Sequence, residues 1–198
     1  MNLKIALSGP AGTGKSTILN DLKTSKRFEE LEAKLGGFKL IEEPVRTLKR
    51  EAGMLINELG TIDTELLVLS THIKNLFLYP RFITDRCIVD NITYTKLSTD
   101  FEDKDKYLES VLFIESKVID SYDLIFYIEP EFQPPEDGVR NLGDFYHASV
   151  KGFEERYSGL IREHNNIHIL AGSREERIDS IFVEIDKLIS NKFIGEND

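Results

Sequence analysis

Cysteine occurs once in the 198 residues, at Cys87, so the chain cannot close a disulfide on itself. That composition predicts a reducing setting such as the cytoplasm, with Cys87 a buried apolar residue just after a strand. Nor is there an apolar run approaching the ~18 residues that would suggest a bilayer span, or a basic leader ahead of Leu3, and no membrane association is expected. Positive charge is in short supply: 25 Lys and Arg stand against 35 Asp and Glu, for a formal net charge of -10. A surplus of that sign repels polyanions at long range and argues against an extended DNA- or RNA-binding face, although a small basic pocket remains compatible with it. Internal repeats and low-complexity linkers are absent too, which leaves one compact domain over residues 1–198. The four histidines, His72, His147, His164 and His168, share no metal-ligand spacing and read as ordinary core-edge or surface residues.

Against these absences stands one complete motif, Gly9-Pro10-Ala11-Gly12-Thr13-Gly14-Lys15-Ser16-Thr17. It follows the apolar run Leu3 to Leu7 and precedes the helical pattern from Ile18 to Leu22, so it links a strand to a helix. That context and the spacing identify a phosphate-binding loop for a nucleoside triphosphate. Its glycines let successive backbone N–H groups turn inward, and the helix that follows adds the positive end of its dipole. Lys15 is suited to the β and γ phosphates of ATP, and the Ser16 hydroxyl to Mg²⁺.

Four further apolar runs read as strands: Phe38 to Ile41, Phe82 to Thr84, Leu124 to Ile128, and Ile167 to Leu170. Helical periodicity fills the gaps, with stripes at Phe28, Leu31 and Leu35, at Leu48, Ala52, Leu55 and Leu59, and at Leu66, Leu69, Ile73, Leu76 and Phe77. Others lie at Val111, Leu112, Val118 and Ile119, at Phe153, Tyr157, Leu160 and Ile161, and from Ile178 to Leu188. All of these read as core faces. Short, continuously apolar strands alternating with helices predict an α/β fold whose parallel sheet is covered on both sides. Ligands in such sheets sit at the strands' carboxyl ends.

The residues after each strand therefore carry the functional reading. Glu42-Glu43-Pro44-Val45-Arg46 follows the second strand, and Asp85-Arg86 follows the third, ahead of a helical pattern containing Asp90 and Tyr94. A proline-rich loop at about 129–143 bearing Arg140 follows the fourth, and Ala171-Gly172-Ser173-Arg174 follows the fifth. Asp85 is suited to hold Mg²⁺ together with Ser16, or to cap the next helix. Arg86 suits the acceptor side of a phosphoryl transfer, and Arg140 a lid over the moving group. Glu43 fits a general base for a nucleoside hydroxyl, whereas Arg46, Arg81 and Arg86 fit a monophosphate acceptor, and the sequence leaves both open. Tyr94 is a candidate to stack on an acceptor base, and Arg174 and Arg177 read as charges at the start of the last helix.

In this order the chain resembles the small P-loop kinases that include thymidylate kinase, deoxynucleoside kinases and their phage-type relatives. Glu43-Pro44-Val45 resembles the Glu-Pro after their second strand, and Asp85-Arg86 the acidic-Arg pair after their third. Asp137-Gly138-Val139-Arg140 is similar to an arginine-bearing lid, and Ala171-Gly172-Ser173 to the loop that holds the nucleotide base. The resemblance implies a three-layer P-loop sandwich with strand order 2-3-1-4-5, ATP and Mg²⁺ as cofactors, a nucleoside monophosphate or nucleoside as acceptor, and a homodimer. Two competing readings are a kinase acting on a polynucleotide end or modified base, and a P-loop switch binding a partner protein. No Asn-Lys-x-Asp guanine-reading segment supports the latter.

Overall fold

In a computed structural model, residues 1–55, 59–98, 101–131 and 143–195 are described, apart from the side chains of 46–48, 52 and 192–195. Five strands, β1 (Leu3–Ser8), β2 (Lys39–Ile41), β3 (Arg81–Asp85), β4 (Leu124–Ile128) and β5 (Ile167–Leu170), form one parallel sheet in the order β2-β3-β1-β4-β5. Eight α-helices connect and flank them among the described residues: α1 (Lys15–Thr24), α2 (Lys26–Leu35), α3 (Pro44–Ala52), α4 (Ile62–Leu78), α5 (Ile88–Leu97), α6 (Lys104–Val118), α7 (Asp144–Glu163) and α8 (Arg174–Gly195). This is the expected α/β P-loop architecture with the expected strand order.

Alternation along each strand divides the apolar residues between two cores. Leu3, Ile5 and Leu7 of β1, with Leu124, Phe126 and Ile128 of β4, pack on Ile18, Leu22 and Phe28 from α1 and α2 and on Ile181 and Ile185 from α8. Ala6, Phe82, Ile125 and Tyr127 point the other way, into a layer built from α4, α5, α6 and α7 that includes Leu69, Ile92, Val111, Phe153 and Tyr157. Truncating one such buried side chain to Ala costs about 2–5 kcal/mol, so the inner strands are held firmly in register. Rigid strand ends then fix the position of whatever follows them.

Two expected helical stripes come out differently. The repeat from Leu48 to Leu59 is not one helix: α3 stops at Ala52, where Gly53 takes a left-handed φ of 61° and its N–H bonds to the Lys49 carbonyl. Leu55 and Leu59 are accordingly exposed. On α4 the buried face is Thr64, Glu65, Val68, Leu69, His72, Asn75 and Leu76, whereas Leu66 and Phe77 face outward. Polar residues at 64, 65, 72 and 75 on the inner face displaced the stripe from the one that hydrophobicity alone suggests. No helix among the described residues is long and apolar enough to cross a membrane.

Candidate active site

The phosphate loop occupies the sheet's carboxyl edge, between the end of β1 and α1. Gly9 has φ 138°, and a Cβ there would lie 2.6 Å from the Ile128 carbonyl oxygen, so the loop passes too close to β4 for any side chain. Gly14 caps α1 without a side chain over the first amides, and the first turn carries no acidic residue. The helix therefore presents its N–H groups and dipole to an anion. Lys15 is buried, its Nζ donating to the carbonyl oxygens of Gly9 and Pro10 at 2.7 Å each and to Thr13 Oγ1 at 3.3 Å. Burial, and then Arg86, push the ammonium down to about 8, against the pull of Asp85, Asp90 and Glu43.

Asp85 ends β3 directly beside the loop. Its Oδ2 accepts from Ser16 Oγ at 2.6 Å, while its buried Oδ1 has no hydrogen-bond partner. Burial raises the Asp85 carboxyl above its ordinary range, with Lys15 and Arg86 opposing. A hydroxyl and an incompletely satisfied carboxylate side by side form a hard-oxygen set suited to Mg²⁺. Since the described residues contain no group of three or more His, Cys, Asp or Glu placed to hold a metal, the other ligands would come from the triphosphate and water.

Arg86 organises the neighbouring wall. It is a non-glycine residue at φ 85°, a conformation that costs about 1–2 kcal/mol, held by its N–H bonding to the Leu7 carbonyl at 2.8 Å. Its Nε pairs with Glu43 Oε1, and its Nη1 donates to Asp90 Oδ1 at 3.0 Å and to the Gly9 carbonyl at 3.2 Å. The guanidinium also lies 4.7 Å from the Tyr94 ring centroid. Although burial opposes its charge, Glu43, Tyr94, Asp90 and Asp85 outweigh that cost and hold it protonated, above the usual arginine range. Asp90 in turn accepts from Ser8 Oγ at 2.6 Å and from the backbone N–H of Cys87 at 3.0 Å and Gly9 at 3.3 Å. One buried network thus ties the phosphate loop to α5 and to the end of β2.

Beyond Glu43 and Arg86 opens a cleft of about 420 Å³, counting its open mouth. Val45, Thr64, Glu65, Val68 and His72 line one side, and Asp90, Asn91 and Tyr94 the other. Glu65 is buried, accepting from Asn91 Nδ2 at 2.8 Å and Thr95 Oγ1 at 2.7 Å, and burial raises its carboxyl above the ordinary range despite those bonds. His72 is buried as well; burial above all brings its imidazole down to about 4, so it is neutral near pH 7.

Of the residues singled out in the sequence, Lys15, Ser16, Glu43, Asp85, Arg86 and Tyr94 converge here. The Tyr94 ring already carries Arg86 over it and Phe145 stacked at 6.2 Å. Arg46 falls on α3 with its side chain outside the described atoms, and Arg140 with the rest of the expected lid lies outside the described residues. Arg81 begins β3, at the sheet's opposite edge, and bonds to the Met1 carbonyl. Arg177 is no surface charge: it is buried, donates to the Thr13 carbonyl at 2.9 Å and faces Glu131 at 3.3 Å. Glu131 also accepts from the Gly172 N–H at 2.6 Å, so the loop after β5 is fastened to the phosphate loop. Arg174 pairs with Asp21 on the surface.

Asp90, Glu65, Asn91 and His72 were not singled out as site residues. Asp90 was detectable, standing four residues after Arg86 on a helix, the spacing of an ion pair. His72 and Glu65 had a fainter signal, as polar residues seven apart within an apolar helical stripe.

A model of the AAA domain family matches residues 4–177. No curated protein matches the chain. Among solved structures, NadR in complex with NR superposes with a TM-score of 0.65 at 20% identity, covering 91% of this chain and 50% of that one. NadR with NAD and AMP-PNP gives 0.65 at 18%, covering 91% and 48%. Deoxyadenosine kinase from M. mycoides, with products bound, gives 0.58 at 16%, covering 94% and 100%. The chain thus spans about half the length of the NadR chains and the full length of the deoxyadenosine kinase. These likenesses establish the fold of the small P-loop nucleoside kinases.

Proposed function

The chain belongs to the AAA domain family, and from that premise we propose that it is a Mg²⁺- and ATP-dependent kinase that phosphorylates a hydroxyl of a nucleoside. The observation that carries this reading is the charge of the cleft beside the phosphate loop. Among the described lining residues three carboxylates, Glu43, Glu65 and Asp90, stand against one guanidinium, Arg86, whose Nε and Nη1 already serve Glu43, Asp90 and the Gly9 carbonyl. Such a wall suits an uncharged acceptor better than a phosphomonoester dianion. NadR binds NR, and deoxyadenosine kinase holds dCMP as a product, the species that phosphorylation of a nucleoside yields; both support this acceptor class.

In this reading the amides at the start of α1 and Lys15 hold the triphosphate of ATP. Ser16 and Asp85 would hold Mg²⁺, which when bound supplies charge neutralisation at the β and γ phosphates. The acceptor hydroxyl oxygen forms a bond to the γ phosphorus as the bond to the β–γ bridging oxygen breaks, and ADP departs with that electron pair. Glu43 takes the hydroxyl proton. Arg86 holds Glu43 in place through the pairing of its Nε with Glu43 Oε1.

Transfer of radiolabel from γ-labelled ATP tests the proposal, using nucleosides, their 5′-monophosphates and short oligonucleotides as acceptors. At least one nucleoside is expected to be labelled faster than its own monophosphate. Labelling confined to monophosphates or oligonucleotides would contradict it.

A further inference from the structure

Two polar atoms in the cleft wall are left without a well-formed hydrogen bond. His72 Nε2 and the Tyr94 hydroxyl are both buried and both belong to residues lining the cleft; His72 Nε2 has no hydrogen-bond partner, and the Tyr94 hydroxyl makes no well-formed hydrogen bond, with the Arg86 guanidinium as its polar neighbour. A buried polar atom left unpaired costs about 1–3 kcal/mol, so native proteins seldom tolerate one without a use for it. Of the buried side-chain atoms without a well-formed hydrogen bond among the described residues, these two belong to residues that line the cleft. His72 is 2% exposed, and Leu69 and Leu76 on the same helix show that an apolar side chain would serve the core equally well.

Their place along the cleft narrows what they meet. His72 lies within electrostatic reach of Asp90, Arg86 and Glu43, and Tyr94 lies against Arg86, so both are at the end where transfer would occur. Glu65 on α4 is already engaged by Asn91 and Thr95 of α5. In a nucleoside whose primary hydroxyl reaches Glu43, the part beside the reacting oxygen is the sugar. Secondary hydroxyls both donate and accept, and can therefore satisfy a neutral imidazole nitrogen in either tautomer as well as a phenol. We propose that His72 Nε2 and the Tyr94 hydroxyl bind the secondary hydroxyls of the acceptor sugar and make this site selective for a sugar that carries them. The inference rests on the nucleoside-acceptor reading and adds the residues that recognise the sugar. A site built to bond a hydroxyl discriminates strongly against analogues lacking it, because its own buried groups are then left unpaired.

Nitrogen-15 NMR of histidine-labelled protein tests this directly. The chain has four histidines, and the His72 signals are assigned by their loss in His72→Gln. Adenosine, guanosine, cytidine, uridine and 5-methyluridine are titrated alongside their 2′-deoxy, 3′-deoxy and 2′,3′-dideoxy forms. At least one hydroxylated nucleoside is expected to shift the His72 Nε2 resonance. Its dideoxy form should leave that resonance in place and bind about 5- to 100-fold more weakly. His72→Leu should abolish the preference, and His72→Gln, which keeps a polar group near the Nε2 position, should retain part of it. No response to any nucleoside, an equal response to the dideoxy form, or an undiminished preference in His72→Leu would overturn the inference. Should His72→Leu not fold, the wild-type titration and His72→Gln decide the matter. If nucleosides shift the resonance but none is phosphorylated, the kinase reading fails while sugar recognition stands.

Discussion

Replacing Glu43 by Gln removes one charge and almost no volume, and its two effects can be read separately. The first is on stability. Arg86 has a side chain only 8% exposed and would lose the charge of the partner of its Nε, but it would keep Asp90 at 3.0 Å, the Gly9 carbonyl at 3.2 Å and the Tyr94 ring. Orphaning a buried charge completely costs about 3–5 kcal/mol; with these partners retained, a loss of about 1–2 kcal/mol is expected. The second effect is on chemistry. Loss of a positioned general base lowers turnover about 10²- to 10⁴-fold, equivalent to about 3–5 kcal/mol in the barrier. Urea unfolding reads the first, and initial rates at saturating ATP and nucleoside read the second. The apparent KM for ATP should change little, because Lys15 and the loop amides do not involve the Glu43 carboxylate. Turnover within about threefold of wild type, with the protein folded, would refute the assignment of Glu43 as base.

Lys15 sits at about 8 in the free protein, so kcat/KM for ATP should fall as pH rises through that value while kcat, measured with phosphates bound beside the ammonium, falls only at higher pH. Coincident limbs in the two profiles would contradict the link to Lys15. Asp85→Asn should raise the Mg²⁺ concentration needed for half-maximal turnover by about tenfold, and an unchanged requirement would remove Asp85 from the metal site. Arg177→Ala should loosen the phosphate loop at Thr13, raising the KM for ATP more than it lowers kcat; an unaltered KM would show that the Thr13 contact is dispensable. For His72, the folded protein holds the imidazole at about 4 against an ordinary value of 6.5, so its stabilising effect is complete above 6.5 and is lost as pH falls toward 4. The loss is on the order of 3 kcal/mol, and urea unfolding of His72→Leu should lack that segment of the acid limb.

Much of the fold was legible because it rests on local signals. Apolar runs fixed all five strands to within a residue or two, and the phosphate-loop motif located the turn between β1 and α1. The donor half of the candidate site was legible for the same reason, since loop, lysine and hydroxyl are contiguous from Gly9 to Thr17. The acceptor half was not. Arg86 was noticed as a strand-end charge, but its engagement with Glu43, Asp90 and Gly9 depends on contacts 43, 4 and 77 residues apart. Glu65 and His72 were obscured by hydrophobic periodicity, which treats an inward polar residue as a flaw in the stripe. Arg177 illustrates the same limit: charge near a helix start suggests surface, and only the folded chain brings it beneath Thr13.

A crystal structure of the protein with Mg²⁺, a non-hydrolysable ATP analogue and its best nucleoside acceptor tests the central claim most directly. The nucleoside should occupy the cleft between α4 and α5, its reacting hydroxyl within hydrogen-bond distance of Glu43 and facing a γ phosphate held by Lys15 and the first amides of α1. A nucleoside bound elsewhere, or a triphosphate lying away from that loop, would contradict it.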